Sequence, residues 1–513
     1  MNIQQPTSGM MRNRFGLPQL RSGDAEVFLP AARQNTAPAP VARDGWKDFP
    51  PPRWAEREAN PTLWKYEQGV RAAFANIVPV LKEISALQHT QDFTRQAQAL
   101  SQTKLGFALP ESLLQNAWLG ELDMRRCYAY ALYETFKRVS AASFADIAAE
   151  REDAQQAQQF LLDCGFHSVD ITPCADGRLQ GLVKYILRLP KSAVHRAPYA
   201  GALFDIEESL RRWVKVEHRR YREGVPNTAD QPTQYLKIAV YHWSGSNDQQ
   251  GCAAHGSDQH AAAQAGLERL SMFRAAVQNS FCCGASVATL LIGVNTDNDA
   301  LRIHVPDGLG AMSLYRYVDN EQVYQKITQT HAPRAAVVDA LELAIVAQGW
   351  GQGEGRPSAG MLRCIATLLT NNLKQIDYVA QYHGGRYADI GHSEWLISAG
   401  NGFADLPLRN LAYYAHLDTV EEGAADLDVG VKIFKKLNVA HALPVPVVIH
   451  ARYNAQVPGA RDRARARAKR LKRAVLERYA ELAQQGLICV FTTLQDQQHP
   501  ENTEFLPWDE AAS

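Results

Sequence analysis

Ile171-Thr172-Pro173-Cys174-Ala175-Asp176-Gly177-Arg178 sets a thiol, a carboxylate and a guanidinium at alternate positions. At the end of an extended strand, side chains at i, i+2 and i+4 share one face, so all three groups can point into one cavity. Cys174 as thiolate is a soft metal ligand. Asp176 can accept a hydrogen bond from whatever the metal holds. The planar fork of Arg178 can grip that carboxylate and keep it ionised.

A metal needs more ligands. A second apolar run, Leu236-Lys237-Ile238-Ala239-Val240-Tyr241-His242, ends in a histidine, and Cys252 follows in Gln250-Gly251-Cys252-Ala253-Ala254-His255. Two thiolates and one imidazole suit Zn²⁺. Three protein ligands leave the fourth tetrahedral position free, the pattern of a catalytic site rather than a structural one.

Outward from this core the chain alternates helices and strands. A helix near 153–163 leads to the motif strand. A second, near 203–221, precedes the Pro/Asn/Asp-rich loop 225–232, strand 235–242, a helix near 259–279, a strong strand over 286–294 and a further one over 301–305. This alternation predicts an α/β unit with a mostly parallel sheet and its ligands at the strand carboxyl ends. Upstream, Leu63, Tyr66, Val70, Phe74, Ile77 and Leu81 mark one face of a helix, and a further helix is expected over Met124 to Ser140. We read residues 1–45 as a disordered tail, 46–150 as a helical domain, 151–392 as the catalytic zinc domain and 393–513 as a C-terminal domain.

That last domain reads as a degenerate copy of the catalytic one, with a repeat that can begin near residue 358. Ile376-Asp377-Tyr378-Val379-Ala380-Gln381-Tyr382 parallels the motif strand, Leu443 to His450 parallels the strand ending at His242, and Gly486 to Phe491 parallels the strand around Leu290. The spacing from Tyr382 to His450, 68 residues, equals that from Cys174 to His242. Tyr382 then stands where a thiolate is needed, and the copy is expected to hold no metal. Pro444 and Pro446 cannot donate to a ladder, so only the second half of their strand should pair fully.

Lys plus Arg equals Asp plus Glu, at 54 each, so net charge gives no reason to expect nucleic acid or an anionic membrane surface as partner. No apolar run approaches the ~20 residues that span a bilayer, and the amino terminus lacks a secretory apolar segment. The 8 cysteines are scattered without a disulfide framework, and reduced thiols are the expectation. Cys282 and Cys283 are adjacent, so their side chains diverge, and we read both as structural. His392, in Asp389-Ile390-Gly391-His392-Ser393-Glu394, is a candidate proton relay set against the commoner cap or surface histidine. The basic run from Arg461 to Arg473 reads first as a solvated face and second as a docking patch for an acidic partner.

Cys174-x-Asp176-x-Arg178, a strand-end His242 and then Cys252 resemble the β-class carbonic anhydrases. The wider set resembles the carboxysome shell carbonic anhydrases, a divergent β-type family. It comprises Leu161 to His167, Cys174 to Arg178, Glu223 to Asp230 and Cys252-Ala253-Ala254-His255-Gly256-Ser257-Asp258. The resemblance runs from about residue 46 to the end. It implies a β-carbonic-anhydrase-like fold, one Zn²⁺ per chain, and reversible hydration of CO₂ to bicarbonate with Asp176 and Arg178 as the catalytic pair. It also implies a place on the inner side of the carboxysome shell, CO₂ supply to Rubisco, docking through the amino-terminal tail, and a homodimer or larger assembly. In ordinary β-class enzymes two residues separate the histidine from the second cysteine. Nine intervene here, so His255 competes with Cys252 as the third ligand. Two rivals stand beside this reading. One is another zinc enzyme: Pro173-Cys174 resembles the Pro-Cys-x-x-Cys of nucleobase deaminases, but residue 177 is Gly and His-x-Glu is missing upstream. The other is a non-catalytic assembly protein stapled by zinc.

Overall fold

The computed structural model describes residues 60–115, 122–142, 147–225, 233–280, 286–330, 334–348, 355–400, 408–415, 419–499 and 503–506. The tail, the loop Pro226–Asp230 and the Cys282-Cys283 pair lie outside them.

Helices come first: α1 (Asn60–Ala75), α2 (Ile77–Ala86), α3 (Phe93–Lys104), α4 (Glu111–Leu114) and α5 (Met124–Ala142). Leu63, Val70, Phe74, Ile77 and Leu81 are buried along one face, as their spacing predicts. The single expected helix is nevertheless two, broken between Ala75 and Ile77.

α6 (Ile147–Asp163) opens the first α/β unit. It continues through β1 (Ser168–Pro173), β2 (His195–Arg196), α7 (Ile206–Arg222), β3 (Gln234–Trp243), α8 (Gln259–Ser280), β4 (Ser286–Asn295), β5 (Leu301–His304) and β6 (Tyr317–Asp319). The sheet order is β2-β1-β3-β4-β5-β6. The first four strands are parallel, and β5 and β6 run antiparallel to their neighbours. β3 is buried from Tyr235 to Trp243, which is how a strand covered on both faces reads in sequence.

Three helices follow, α9 (Asn320–Thr330), α10 (Arg334–Val346) and α11 (Ala359–His383), and then the second unit. That unit comprises β7 (Leu396–Gly400), β8 (Ala412–Ala415), α12 (Val420–Leu437), β9 (Val445–Tyr453), α13 (Ala460–Arg478), α14 (Ala480–Gln484), β10 (Ile488–Asp496) and β11 (Thr503–Phe505). Its order is β11-β10-β9-β7-β8, with four parallel strands and an antiparallel β11. Read from the other edge, β8-β7-β9-β10-β11 repeats β2-β1-β3-β4-β5 in order and direction. The described residues therefore form two sheets that share one topology over five strands, the first with β6 added at its edge.

The residue pairing within this repeat differs from expectation. Tyr382 lies in α11, which closes at Gly384 in the left-handed conformation (φ 66°), the usual role of a glycine just past a helix end. The counterpart of β1 is β7. Gly400 pairs with His450. Carried two residues past Pro173↔Val240, the β1–β3 register sets Ala175 beside His242. Ala399 therefore holds the place of Cys174, and the equal spacing of 68 residues is a coincidence of loop lengths. The proline expectation holds on one side of β9. Pairing with β7 starts at Val447, whereas pairing with β10 starts at Val445. Successive residues of a parallel strand aim their N–H groups at alternate neighbours. Val445 donates to Leu487 on the β10 side, so the missing Pro446 donor falls toward β7.

Among the described residues, three buried clusters hold the fold together. One packs α6, α7, α8, α10 and part of α11 around the first sheet. A second joins α1–α5 to Tyr378 and Val379 of α11 and to Leu396, Ala412, Val448, Cys489 and Phe491 of the second sheet. The third packs α12 and α13 on the second sheet together with Ala175. The amino-terminal helices thus cover a face of the second sheet. Among the described residues no helix is long and apolar enough to cross a membrane.

Candidate metal centre

β1 ends at Pro173, but its path continues. Cys174 N donates to Val240 O at 3.0 Å and Ala175 N to Tyr199 O at 3.0 Å. The chain then turns through a short 3-10 segment, Gly177–Leu179. Asp176 caps that turn, and Arg178 closes on the same carboxylate. Asp176 Oδ1 accepts from Arg178 N and Nε, both at 2.9 Å, and Oδ2 accepts from Arg178 Nη2 at 2.7 Å. The rest of the guanidinium ties down the surrounding loops. Nη1 donates to Gln250 O at 2.5 Å and to Ile390 O at 2.9 Å, and Nη2 to Gly251 O at 3.3 Å. One side chain thereby fixes Asp176, the loop that bears Cys252 and the loop that bears His392.

His242, the penultimate residue of β3, is fully buried. Among the described residues, neither ring nitrogen has a hydrogen-bond partner. Nε2 lies 3.3 Å from Asp176 Oδ2 without hydrogen-bond geometry. Cys174 and Cys252 are also buried, their sulfurs 3.7 Å apart. One donor atom from each of Cys174, His242 and Cys252 falls within 4.8 Å of the others. A buried imidazole with no partner is costly unless something else satisfies it. Two sulfurs and one nitrogen around a common point suit Zn²⁺, so the residues fit the metal that the sequence implies. His255 does not join this group. It is half-buried, with Nε2 3.4 Å from Gly201 O.

One wall facing the dyad comes from the segment just before β7, and another from β8 and the turn leading into it. Glu394 Oε1 accepts from Gly177 N at 3.0 Å and lies 3.1 Å from His392 Nδ1. His392 Nδ1 is 3.6 Å from Asp176 Oδ2. The approach is close enough to require glycine: a Cβ on Gly177 would meet Glu394 Cγ at 2.4 Å. The backbone next to β8 runs along the motif, with Tyr414 N donating to Ala175 O at 3.1 Å and Asn410 N to Gly177 O at 2.7 Å. Gln180 Nε2 donates to Ala412 O at 3.1 Å.

Burial opposes ionisation of Asp176, but the charge of Arg178, then those of His392 and His242, hold its carboxyl well below the usual range. For His392, burial opposes protonation, and the neighbouring Asp176 and Glu394 outweigh it and raise the pKa. The thiol pair shares a proton through the S···S contact, which raises Cys174 and lowers Cys252.

Cys174, His242, Cys252, Asp176 and Arg178 thus converge, and His392 borders them. Glu394 received no role from sequence. The only sign of it there is its place two residues after His392 in a short polar stretch. The second unit contrasts at the matching place. In the registers, Val294 stands beside His242 and Thr493 beside His450. Thr493 Oγ1 reaches His450 Nδ1 at 2.5 Å, whereas a valine has nothing to offer an imidazole.

Three family models match consecutive stretches of the chain. They are described as carboxysome shell carbonic anhydrase, N-terminal (residues 53–144), catalytic domain (156–392) and C-terminal (393–509). The carboxysome shell carbonic anhydrase of Prochlorococcus marinus is 49% identical over 454 residues, 88% of this chain and 87% of the relative. That of Halothiobacillus neapolitanus is 49% identical over 437 residues, 84% and 85% of the two chains. That of Hydrogenovibrio crunogenus is 44% identical over 451 residues, 87% and 85%.

Proposed function

The chain belongs to the carboxysome shell carbonic anhydrase family, and from that premise we propose that it acts as a zinc-dependent carbonic anhydrase of the carboxysome, with Cys174, His242 and Cys252 holding the metal. The observation behind the ligand assignment is the buried, unpartnered imidazole of His242 beside two sulfurs. A Zn²⁺ ion held there supplies Lewis acidity that makes water a nucleophile near neutral pH.

The chain's own residues do the rest. Asp176, kept ionised by Arg178, presents Oδ2 on the side of His242. There it accepts a hydrogen bond from the reacting water and orients it toward carbon dioxide. Arg178 also keeps Asp176 from swinging onto the metal, because both carboxylate oxygens are engaged by its fork. The proton released by the reacting water is taken up by His392, whose Nδ1 lies 3.6 Å from Asp176 Oδ2, and Glu394 steadies the imidazolium that forms. Burial of the dyad excludes bulk water, and this strengthens each of these contacts.

The same reading divides the chain into a tail to about residue 45, a helical domain to 150, the catalytic domain to 392 and the copy without a metal from 393. It places the enzyme on the inner side of the shell, supplying CO₂ to Rubisco, as a homodimer or larger assembly docked through its tail. Zinc analysis beside a CO₂ hydration assay tests the site. Cys174→Ala is expected to lose zinc. Asp176→Ala is expected to keep zinc and lose turnover by about 10²- to 10⁴-fold. Full zinc loading in the Cys174 variant would remove the ligand assignment.

A further inference from the structure

Three consecutive residues in the turn into β8 hold much of the backbone around the dyad. Arg409 Nη1 donates to Thr296 O at 2.7 Å, and Nη2 donates to Asp389 O at 2.9 Å. Its guanidinium carbon lies 3.8 Å from the Tyr387 ring centroid, which seats the side chain. Asn410 N donates to Gly177 O at 2.7 Å, between Asp176 and Arg178, and Asn410 Nδ2 donates to Asp389 Oδ2 at 2.9 Å. Leu411 O accepts from Trp395 N at 3.2 Å, one residue beyond Glu394. The turn therefore grips the dyad turn on one side and both flanks of the His392 loop on the other. Its far anchor also borders the site, because Thr296 N donates to Trp243 O at 2.8 Å, next to His242. Asn410 is 4% exposed and adopts φ 59°, a left-handed conformation that is costly for most side chains and tolerated by asparagine. In it the backbone N–H meets the dyad turn while the side-chain amide meets Asp389.

We propose that Arg409 and Asn410 are positioning residues for the proton-transfer step, fixing the His392 loop to the dyad turn and so setting the 3.6 Å approach of His392 Nδ1 to Asp176 Oδ2. The inference rests on the functional reading above. It gives the second unit a part in the turnover of the first. None of these bonds involves Cys174, His242 or Cys252, so metal binding does not depend on them. Transfer of a proton does depend on close approach, and a shift of about 1 Å is enough to slow such a step.

Asn410→Gly in the full chain is the test. Glycine takes the same φ freely and keeps the backbone N–H, so only the amide tie to Asp389 is lost. Zinc content and kcat/KM for CO₂ hydration are expected to stay at wild-type values. kcat in weak buffer, where departure of the proton limits turnover, is expected to fall about tenfold, and added imidazole should restore it. Arg409→Lys keeps the charge without the fork. It should show the same split, and it decides the matter if the Asn410 variant does not fold. A wild-type kcat in weak buffer would overturn the inference. So would a parallel loss of kcat and kcat/KM that imidazole does not restore, because the turn would then serve the fold rather than the transfer. If His392→Gln is slowed and rescued by imidazole while Asn410→Gly is not, the inference fails alone. If His392→Gln keeps a wild-type kcat in weak buffer, the relay in the functional reading fails and takes the inference with it.

Discussion

Around Asp176 three groups compete for one carboxylate. Arg178 takes both oxygens, His242 approaches to 3.3 Å and His392 to 3.6 Å. The arginine wins because it is permanently charged and its fork matches the carboxylate. The histidines are left adjacent and oriented, His242 beside the two thiols and His392 toward Glu394. His392→Gln is therefore expected to spare zinc binding and slow turnover about tenfold or more, most strongly in weak buffer. Added imidazole should restore the rate. Equal loss at all buffer concentrations would show that His392 does not move the proton. Sequence exposed Cys174, the dyad and His242 because they lie on or just past two apolar strands, and Cys252 because it follows in the next loop. Glu394 stayed hidden because it reaches Gly177 from a position 217 residues away.

At the scale of the elements, β1 and β3 are locked by more than their ladder. Register sets Asp170 beside Lys237, and both are 1% exposed. Lys237 Nζ donates to Asp170 Oδ2 at 2.6 Å, Thr172 Oγ1 at 3.0 Å and Ser209 Oγ at 3.1 Å. It also lies 3.9 Å from the Phe204 ring centroid. A buried pair of this kind contributes little net stability when intact but is costly to break, because the remaining charge stays buried. Asp170→Asn should destabilise by about 3–5 kcal/mol in urea unfolding, and pairing it with Lys237→Met should recover most of the loss. A double variant no better than the single would show that the residual charge is not the source of the penalty. Sequence reading placed these two strands within a residue or two. It did not foresee a lysine in the middle of a buried strand as one half of an ion pair. The partner is named by register, and register is a property of the assembled sheet.

Across the whole molecule, Glu67 of α1 is clasped by α11, the helix between the two sheets. Its Oε1 accepts from Arg71 Nε at 2.9 Å and Nη2 at 2.8 Å, and Oε2 meets the Tyr378 hydroxyl and lies 3.3 Å from His383 Nε2. Burial pushes this carboxyl up, but the bonds from His383 and Tyr378 and the charge of Arg71 outweigh it and hold the pKa at about 2, against 4.5 when free. The folded chain therefore keeps Glu67 ionised where the unfolded chain has protonated it. Its stabilisation is whole above about pH 4.5 and is lost as pH falls toward about 2. The amount at stake is roughly 3 kcal/mol. Glu67→Gln should lower stability at pH 7 and flatten the acid limb of a urea-midpoint profile. An unchanged acid limb would show that the clasp does not hold the helices to the rest.

Local patterning settled a good deal: the amphipathic face from Leu63 to Leu81, the apolar parallel strands, and a cysteine, aspartate and arginine close together just past a strand, although the last two sit in a turn rather than on the strand. Each depends on residues a few positions apart, where backbone geometry alone dictates who shares a face. Tyr382 misled because a matching interval of 68 residues says nothing about which residues pair when loops and helices of unequal length intervene. Ala399 took that place through register. The second sheet's approach to the motif, the seating of the amino-terminal helices on that sheet and the closeness of Glu394 to Gly177 all came from packing. Apolar burial is non-directional and joins surfaces hundreds of residues apart, so it leaves no periodic trace in the chain.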